Sequence, residues 1–176
     1  LLAILTQEHH NQPSKKHEMQ IRHVKKDDNV FLAKMIRSVF KEYNAPQVGT
    51  VYSDPTTDNL FELFQTEKSI LWVAEIEHEI IGCCGIYPTP GLPKNCVELV
   101  KFYITAKSRS KGIGKLLMEK SIESAKEMGY SAIYLESLPD FSKAISIYEK
   151  QGFRHLDLPM GASGHTSCNI WMVKEI

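Results

Sequence analysis

The sequence predicts a mixed α/β (α+β) domain, a mostly antiparallel sheet of about seven strands flanked by about four helices. Three observations predict it. A chain of 176 residues and 20.0 kDa has the length of one core. Its composition, 43% hydrophobic and 24% charged with 8 prolines and 10 glycines, excludes disordered, collagen-like and low-complexity classes. Apolar runs of period two alternate with runs of period 3.6 in the order βααβββαβαββ, and the glycines and prolines fall between them.

The first element is a strand over Met19 to Val24. Asp27 or Asp28 then caps a helix whose apolar positions are Phe31, Leu32, Met35, Ile36, Val39 and Phe40. Asn44 to Pro55, with two prolines and Gly49, is a loop, and Thr56 to Gln65 a short helix. Ser69 to Ile76 and Glu79 to Tyr87 form a hairpin around Glu77-His78, although that turn lacks the usual Asn-Gly signal. The second strand is apolar on both faces, which places it centrally. After the proline-rich connection Pro88 to Asn95 comes a strand over Cys96 to Ile104. A helix over Gly112 to Met128 follows, with Ile113, Leu117, Met118, Ser121, Ile122, Ala125 and Met128 on its packed side. Gly129 ends it. Ser131 to Glu136 is a strand and Asp140 to Lys150 a helix closed by Gly152. Phe153 to Leu158 and Cys168 to Lys174 complete the sheet around a glycine-rich loop. Residues 1–18 read as a flexible arm, with Met19 a plausible start, and residues 19–176 as the domain.

Lys plus Arg and Asp plus Glu both total 21, so no global field attracts nucleic acid or an anionic membrane. Cys83, Cys84, Cys96 and Cys168 match no metal or redox spacing and read as core residues of a reduced, cytoplasmic protein. No apolar run approaches the roughly 20 residues that span a bilayer. Leu1 to Leu5 is too short for a signal peptide's apolar region.

Against this neutral background, Val97 to Leu117 (VELVKFYITAKSRSKGIGKLL) stands out. Lys101, Lys107, Arg109, Lys111 and Lys115 crowd a strand, a loop and the helix start Gly112-Ile113-Gly114, with no anion between them. Glycines at a first helical turn let backbone amides approach a ligand, and the helix N-terminus adds unpaired donors and a positive dipole end. Both suit a pyrophosphate. A P-loop is excluded, because Arg109 stands where glycine is needed and Leu116 where Ser or Thr is needed. The dinucleotide fingerprint fails at Leu117, its third glycine position.

Arg109-Ser110-Lys111-Gly112-Ile113-Gly114 resembles the R/Q-x-x-G-x-G/A signature of the GNAT (GCN5-related) N-acetyltransferases, and Ala144 to Phe153 (AISIYEKQGF) resembles that family's A-x-x-x-Y-E-x-x-G-F block. The resemblance covers Met19 to Ile176 as an ordered set of elements. It implies the GNAT acyl-CoA N-acyltransferase fold and acetyl-CoA as cosubstrate, with no metal. Phe102, Tyr103 and Ile104 would lie along the pantetheine arm. The Arg109 to Lys115 segment would bind the cofactor, with the amides of Ser110, Lys111, Gly112, Ile113, Gly114 and Lys115 on the pyrophosphate. A backbone N–H of the Phe102 to Ile104 strand would polarise the thioester carbonyl. Tyr148 matches the general acid of many members, Glu98 the base of histone-acetyltransferase members and Glu136 the base proposed in ribosomal-protein acetyltransferase members. Many members carry Asn where this chain has Phe141; Ser142 is the neighbouring polar substitute.

The resemblance places the acceptor between the first two helices and the last hairpin, where Tyr43, Asn44, Thr50, Tyr52, Asp54, Ser163 and His165 are candidates. His165 changes charge near neutral pH and suits orienting or deprotonating an amine. The expected activity is direct acetyl transfer to a primary amine of a small molecule, amino acid or peptide, by a monomer or homodimer with no nucleic-acid or membrane partner. Two other readings predict different behaviour. A non-catalytic acyl-CoA sensor would bind CoA without releasing thiol, and a nucleotide-binding module would bind ATP in competition with CoA.

Overall fold

The computed structural model describes residues 18–176; the arm expected before Met19 lies, except for Glu18, outside the described residues. Strands β1 (Met19–His23), β2 (Ile70–Ile76), β3 (Glu79–Tyr87), β4 (Cys96–Ile104), β5 (Ala132–Ser137), β6 (Arg154–Leu156) and β7 (Ile170–Glu175) form one sheet in the order β1-β2-β3-β4-β5-β7-β6. Every neighbouring pair is antiparallel except β4 with β5. The helices are α1 (Asn29–Glu42), α2 (Leu60–Leu63), α3 (Ile113–Glu127) and α4 (Ser142–Lys150).

The hairpin β2–β3 forms without Asn-Gly because both Glu77 and His78 adopt the left-handed conformation (φ 50° and 66°), the geometry that matches strand twist. β3 is central and buried along most of its length, as its two apolar faces require. One core lies between the sheet and α3, where Ile113, Leu117, Met118 and Ala125 are at most 4% exposed. Each large apolar side chain buried there contributes about 1.5–3 kcal/mol. A second core joins α1 and α2 to the other face through Leu32, Ile36, Phe40, Leu60, Leu71 and Val73.

Three expectations are corrected. Phe31 is 66% exposed: it lies about 140° around the helix from Ile36 and misses the sheet. The second helix is a 3₁₀ turn over Pro55–Asp58 followed by one α-turn, with Asp54 accepting the Thr56 amide at 2.9 Å as its cap. The strand expected to Leu158 ends at Leu156.

Two departures from regular pairing create the functional cleft. The parallel pairing of β4 with β5 runs only over Cys96–Ala132, Val97–Ile133 and Glu98–Tyr134; beyond Glu98 the strands separate. On its other edge, β4 carries an extra residue against β3, as the register passes from Gly85–Val100 to Cys83–Tyr103. Lys101 sits in that bulge at φ 55°, and its carbonyl accepts the Cys83 thiol at 3.0 Å. Such bulges bend a strand and re-aim its side chains.

Candidate active site

The separated strands open onto a cleft lined by β4 from Glu98 to Ile104, by Glu136 to Leu138, by the inner side of α4, and by residues of α1 and the loops beside it. At one end the lining reaches Ile104 and Arg109, the residues that lead into α3. There Ser110 (φ 62°) and Gly112 (φ 78°) turn the chain into the helix, and the amides of Ser110 to Lys115 donate to no backbone carbonyl among the described residues; the ladder begins with Leu116 on Gly112 at 3.2 Å. Gly114 is needed for packing, because a Cβ there would stand 3.0 Å from Ile104 Cδ1 and 3.1 Å from Phe102 Cζ. A Cβ at Gly112 would meet nothing within 4 Å, so the first turn presents bare backbone to the open side. A row of orphan amides at a helix N-terminus fits a pyrophosphate, and the unpaired edge of β4 beyond Glu98 fits an extended amide-bearing arm.

The basic run does not act as one patch. Arg109 is held by both carboxylate oxygens of Glu42, donates to Tyr43 Oη at 3.2 Å and to the Ile104 carbonyl at 3.1 Å, and stacks over the Tyr43 ring. Lys107 pairs with Glu79 and Lys115 with Glu119. Lys101 lies elsewhere, buried in the cleft wall. Among the described residues Lys111 alone of the five has neither ion pair nor burial. What the start of α3 offers an anion is therefore its amides, and the side chain of Arg109 ties the signature loop to α1.

At the middle of the cleft, Tyr148 is 6% exposed. Its ring is wedged against Phe102 (centroids 5.8 Å apart) and Phe153 (5.9 Å), and its hydroxyl has no hydrogen-bond partner among the described residues. Burial, with a smaller contribution from Cys84, pushes the phenol above its ordinary range, so it holds its proton at neutral pH. Glu98 is 4% exposed, because the Pro88 to Asn95 connection folds over it and Thr89 donates its hydroxyl to the carboxylate. Burial, reinforced by Glu136 and opposed by Thr89 and Lys101, pushes the Glu98 carboxyl up to about 7. Glu136 accepts from Tyr134 Oη at 2.9 Å and Ser163 Oγ at 2.6 Å.

The β6–β7 loop packs onto the loop after α1. Ser167 donates its amide to Gly49 (3.1 Å) and its hydroxyl to Val48 (2.8 Å), and His165 Nε2 lies 3.1 Å from Asp54 Oδ2. Burial opposes ionisation of Asp54, but the Thr56 and His165 hydrogen bonds and the Lys101 charge outweigh it and lower its pKa.

Of the sequence-derived acceptor candidates, Tyr43, Thr50 and His165 line the cleft. Asp54 joins through His165, and Ser163 through Glu136 and the His165 amide. Asn44 and Tyr52 do not line it; the Tyr52 ring packs on Phe40 and under Arg37. Phe141 does line it, edge-on to Phe40 (5.3 Å) and Tyr43 (5.6 Å), while Ser142 is exposed and outside the lining, so it makes no polar substitution there. Sequence reasoning missed Lys101 as a cleft residue, Thr89 as the partner of Glu98, Glu42 as the partner of Arg109, and Cys168 in the lining. Lys101 had a signal: it is the lone charge among Leu99, Val100, Phe102, Tyr103 and Ile104.

The family model described as the acetyltransferase (GNAT) family matches residues 35–153. The uncharacterized N-acetyltransferase YjgM of Escherichia coli (strain K12) is 35% identical over 157 residues, which are 89% of this chain and 94% of that protein. Among solved structures, a GNAT acetyltransferase of Staphylococcus aureus Mu50 superposes with a TM-score of 0.79 at 24% identity, over 90% of this chain and 99% of that one. The PaiA N-acetyltransferase of Thermoplasma acidophilum in complex with coenzyme A gives 0.71 at 22% identity, over 90% and 99%. The matched span includes the divergence of β4 from β5 and the amide-lined start of α3, and with that match the chain belongs to the GNAT family of acetyltransferases.

Proposed function

We propose that the protein transfers the acetyl group of acetyl-CoA directly to a primary amine, with Tyr148 as general acid and Glu98 as base. The observation that carries this reading is the meeting, in one cleft, of a buried phenol that retains its proton and a buried carboxyl tuned to about 7. Groups of differing proton affinity in one site are what acid–base chemistry at neutral pH requires.

The amides of Ser110 to Lys115 hold the pyrophosphate, and Phe102, Tyr103 and Ile104 hold the pantetheine arm along the free edge of β4. Bound there, acetyl-CoA supplies an activated acyl group on a thiol leaving group. A backbone N–H of the Phe102 to Ile104 segment donates to the oxygen on which charge develops. Glu98 accepts the proton that the amine sheds as the C–N bond forms. Tyr148 delivers its own proton to the sulfur as the C–S bond breaks. Glu136, fixed by Tyr134 and Ser163, supports the ionisation balance of Glu98 and is the second base candidate. Phe141, Phe40 and Tyr43 form an apolar wall that limits water.

The direct test is an amine panel assayed for acetyl-CoA-dependent release of free thiol. Turnover with at least one primary amine, accompanied by the N-acetylated product in mass spectra, is expected; CoA binding without thiol release from any amine would overturn the enzymatic reading.

A second test addresses the cofactor end. Gly112→Val should weaken CoA binding at least about 10-fold by calorimetry, because a β-branched side chain obstructs the amides. Gly129→Val is the control: Gly129 has the same positive φ (86° against 78°) and equally open space, so both variants lose a similar, roughly 1–2 kcal/mol, stability to backbone strain. Equal CoA affinity in the two variants would remove the phosphate assignment.

A further inference from the structure

Lys101 is at odds with its surroundings. It is 6% exposed, held in the β4 bulge, and lines the cleft, yet its ammonium has neither hydrogen bond nor ion pair among the described residues. The carboxylates of Asp54 and Glu98 are the opposing charges that act most on it, without pairing with it. Asp54 is already bonded to the Thr56 amide, the Thr56 hydroxyl and His165, and Glu98 accepts from Thr89 at one of its two oxygens.

A largely desolvated ammonium that opens only onto a cleft and has no partner there is costly, and one placed where an amine must react is more so, since it repels the protonated acceptor. Nothing in acetyl transfer to a plain amine calls for it. An anion carried by the acceptor itself would resolve the conflict, bonding to Lys101 while Glu98 and Glu136 face the amine end of the same molecule.

We infer that the acceptor is an amino carboxylic acid, a small molecule bearing both the reacting amine and a carboxylate, and that Lys101 in the β4 bulge is the residue that binds that carboxylate. The inference rests on the acetyltransferase reading above and narrows its acceptor class. Burial lowers the proton affinity of Lys101, while Asp54 and Glu98 restore part of it; an arriving carboxylate favours the charged form further. The wall beside it is apolar, from Phe40, Val100 and Tyr103, which strengthens a charge-assisted hydrogen bond by excluding water.

The experiment compares matched acceptors with the full-length protein: L-alanine, L-serine, L-leucine, L-methionine, L-aspartate and L-glutamate, each with its α-amide and its decarboxylated amine. Thiol release gives kcat/KM, and calorimetry on the CoA-saturated protein gives Kd. At least one acid should exceed its amide and its decarboxylated amine by about 30-fold or more in both quantities, as expected for a hydrogen bond to a charged group. Intrinsic reactivity runs the other way, because the amine of the amide is less basic and more of it is neutral at pH 7.5. Lys101→Met should bring the acid-to-amide ratio to within about threefold of one, and Lys101→Arg, which keeps the cation, should retain part of the preference. A wild-type ratio near one with brisk thiol release overturns the carboxylate role and leaves acetyl transfer standing; a preference that persists undiminished in Lys101→Met also overturns it. If no amine releases thiol, the acetyltransferase reading fails and the Kd ratio alone decides the role of Lys101.

Discussion

Tyr148→Phe should lower kcat by about 100-fold or more while acetyl-CoA affinity stays within about threefold of wild type. General acid catalysis contributes roughly 10²–10⁴ in rate, and an interaction made only as the C–S bond breaks is lost from kcat and kcat/KM together. The packing predicts that nothing else changes. The ring contacts with Phe102 and Phe153 survive removal of one oxygen, and because the hydroxyl has no partner among the described residues, its loss orphans no donor or acceptor. Thermal unfolding should therefore shift little. Steady-state kinetics with the best amine of the panel, combined with calorimetry of CoA binding, checks both halves. A variant that turns over like wild type would give Tyr148 a packing role only, and a variant that loses CoA affinity in proportion to kcat would place its hydroxyl on the cofactor in the ground state.

The parts of the fold that local chemistry decides were legible. Glycines at 112, 129 and 152 punctuate α3 and α4 and each has a positive φ, and the wheel of α3 gave its buried face. The parts decided by distant partners were not. Five cations between Lys101 and Lys115 read as one anion patch, but Glu42 lies 67 residues from Arg109 and Glu79 lies 28 from Lys107; a linear charge count cannot include carboxylates that arrive through the fold. Glu98 was readable as a base candidate but not as a buried one, since its burial depends on Thr89 closing over it. The β4 bulge was invisible because the strand is apolar from Leu99 to Ile104 except for Lys101. That misfit was the sequence's trace of the irregularity, and the structure moves Lys101 from the basic run before α3 to the wall of the cleft. Phe31 shows the reverse error: apolar character admitted it, and its place about 140° around the helix from Ile36 leaves it outside.

Glu98→Gln should make the protein both slower and, at alkaline pH, more stable. The carboxyl is raised to about 7, chiefly by burial and then by Glu136, so in wild type kcat/KM should rise with pH through about 7 as the base ionises. The glutamine variant should lose that limb and fall by about 100-fold at pH 8, leaving only the limb set by the amine's own ionisation. The stability effect has a fixed sign. In the unfolded chain the carboxyl ionises near 4.5, and in the folded chain near 7, so between these values the folded state binds more protons and stability falls as pH rises. The loss is complete above about pH 8 and amounts to about 3 kcal/mol at most. Glutamine is neutral throughout, and its carbonyl still accepts the Thr89 hydroxyl. The variant should thus match wild type near pH 4 and exceed its unfolding temperature above pH 7. Calorimetric unfolding and kcat/KM, measured over the same pH series, test the two consequences separately. A superimposable rate profile with the stability crossover intact would transfer the base role to Glu136 and leave the burial of Glu98 as described. A variant less stable than wild type at pH 8 would mean that the ionised carboxylate supports the fold, contrary to the physical basis of its raised proton affinity. An ionised carboxylate buried beside Glu136 lowers stability, a cost that the proposed base role, with its proton taken up and released at neutral pH, would account for.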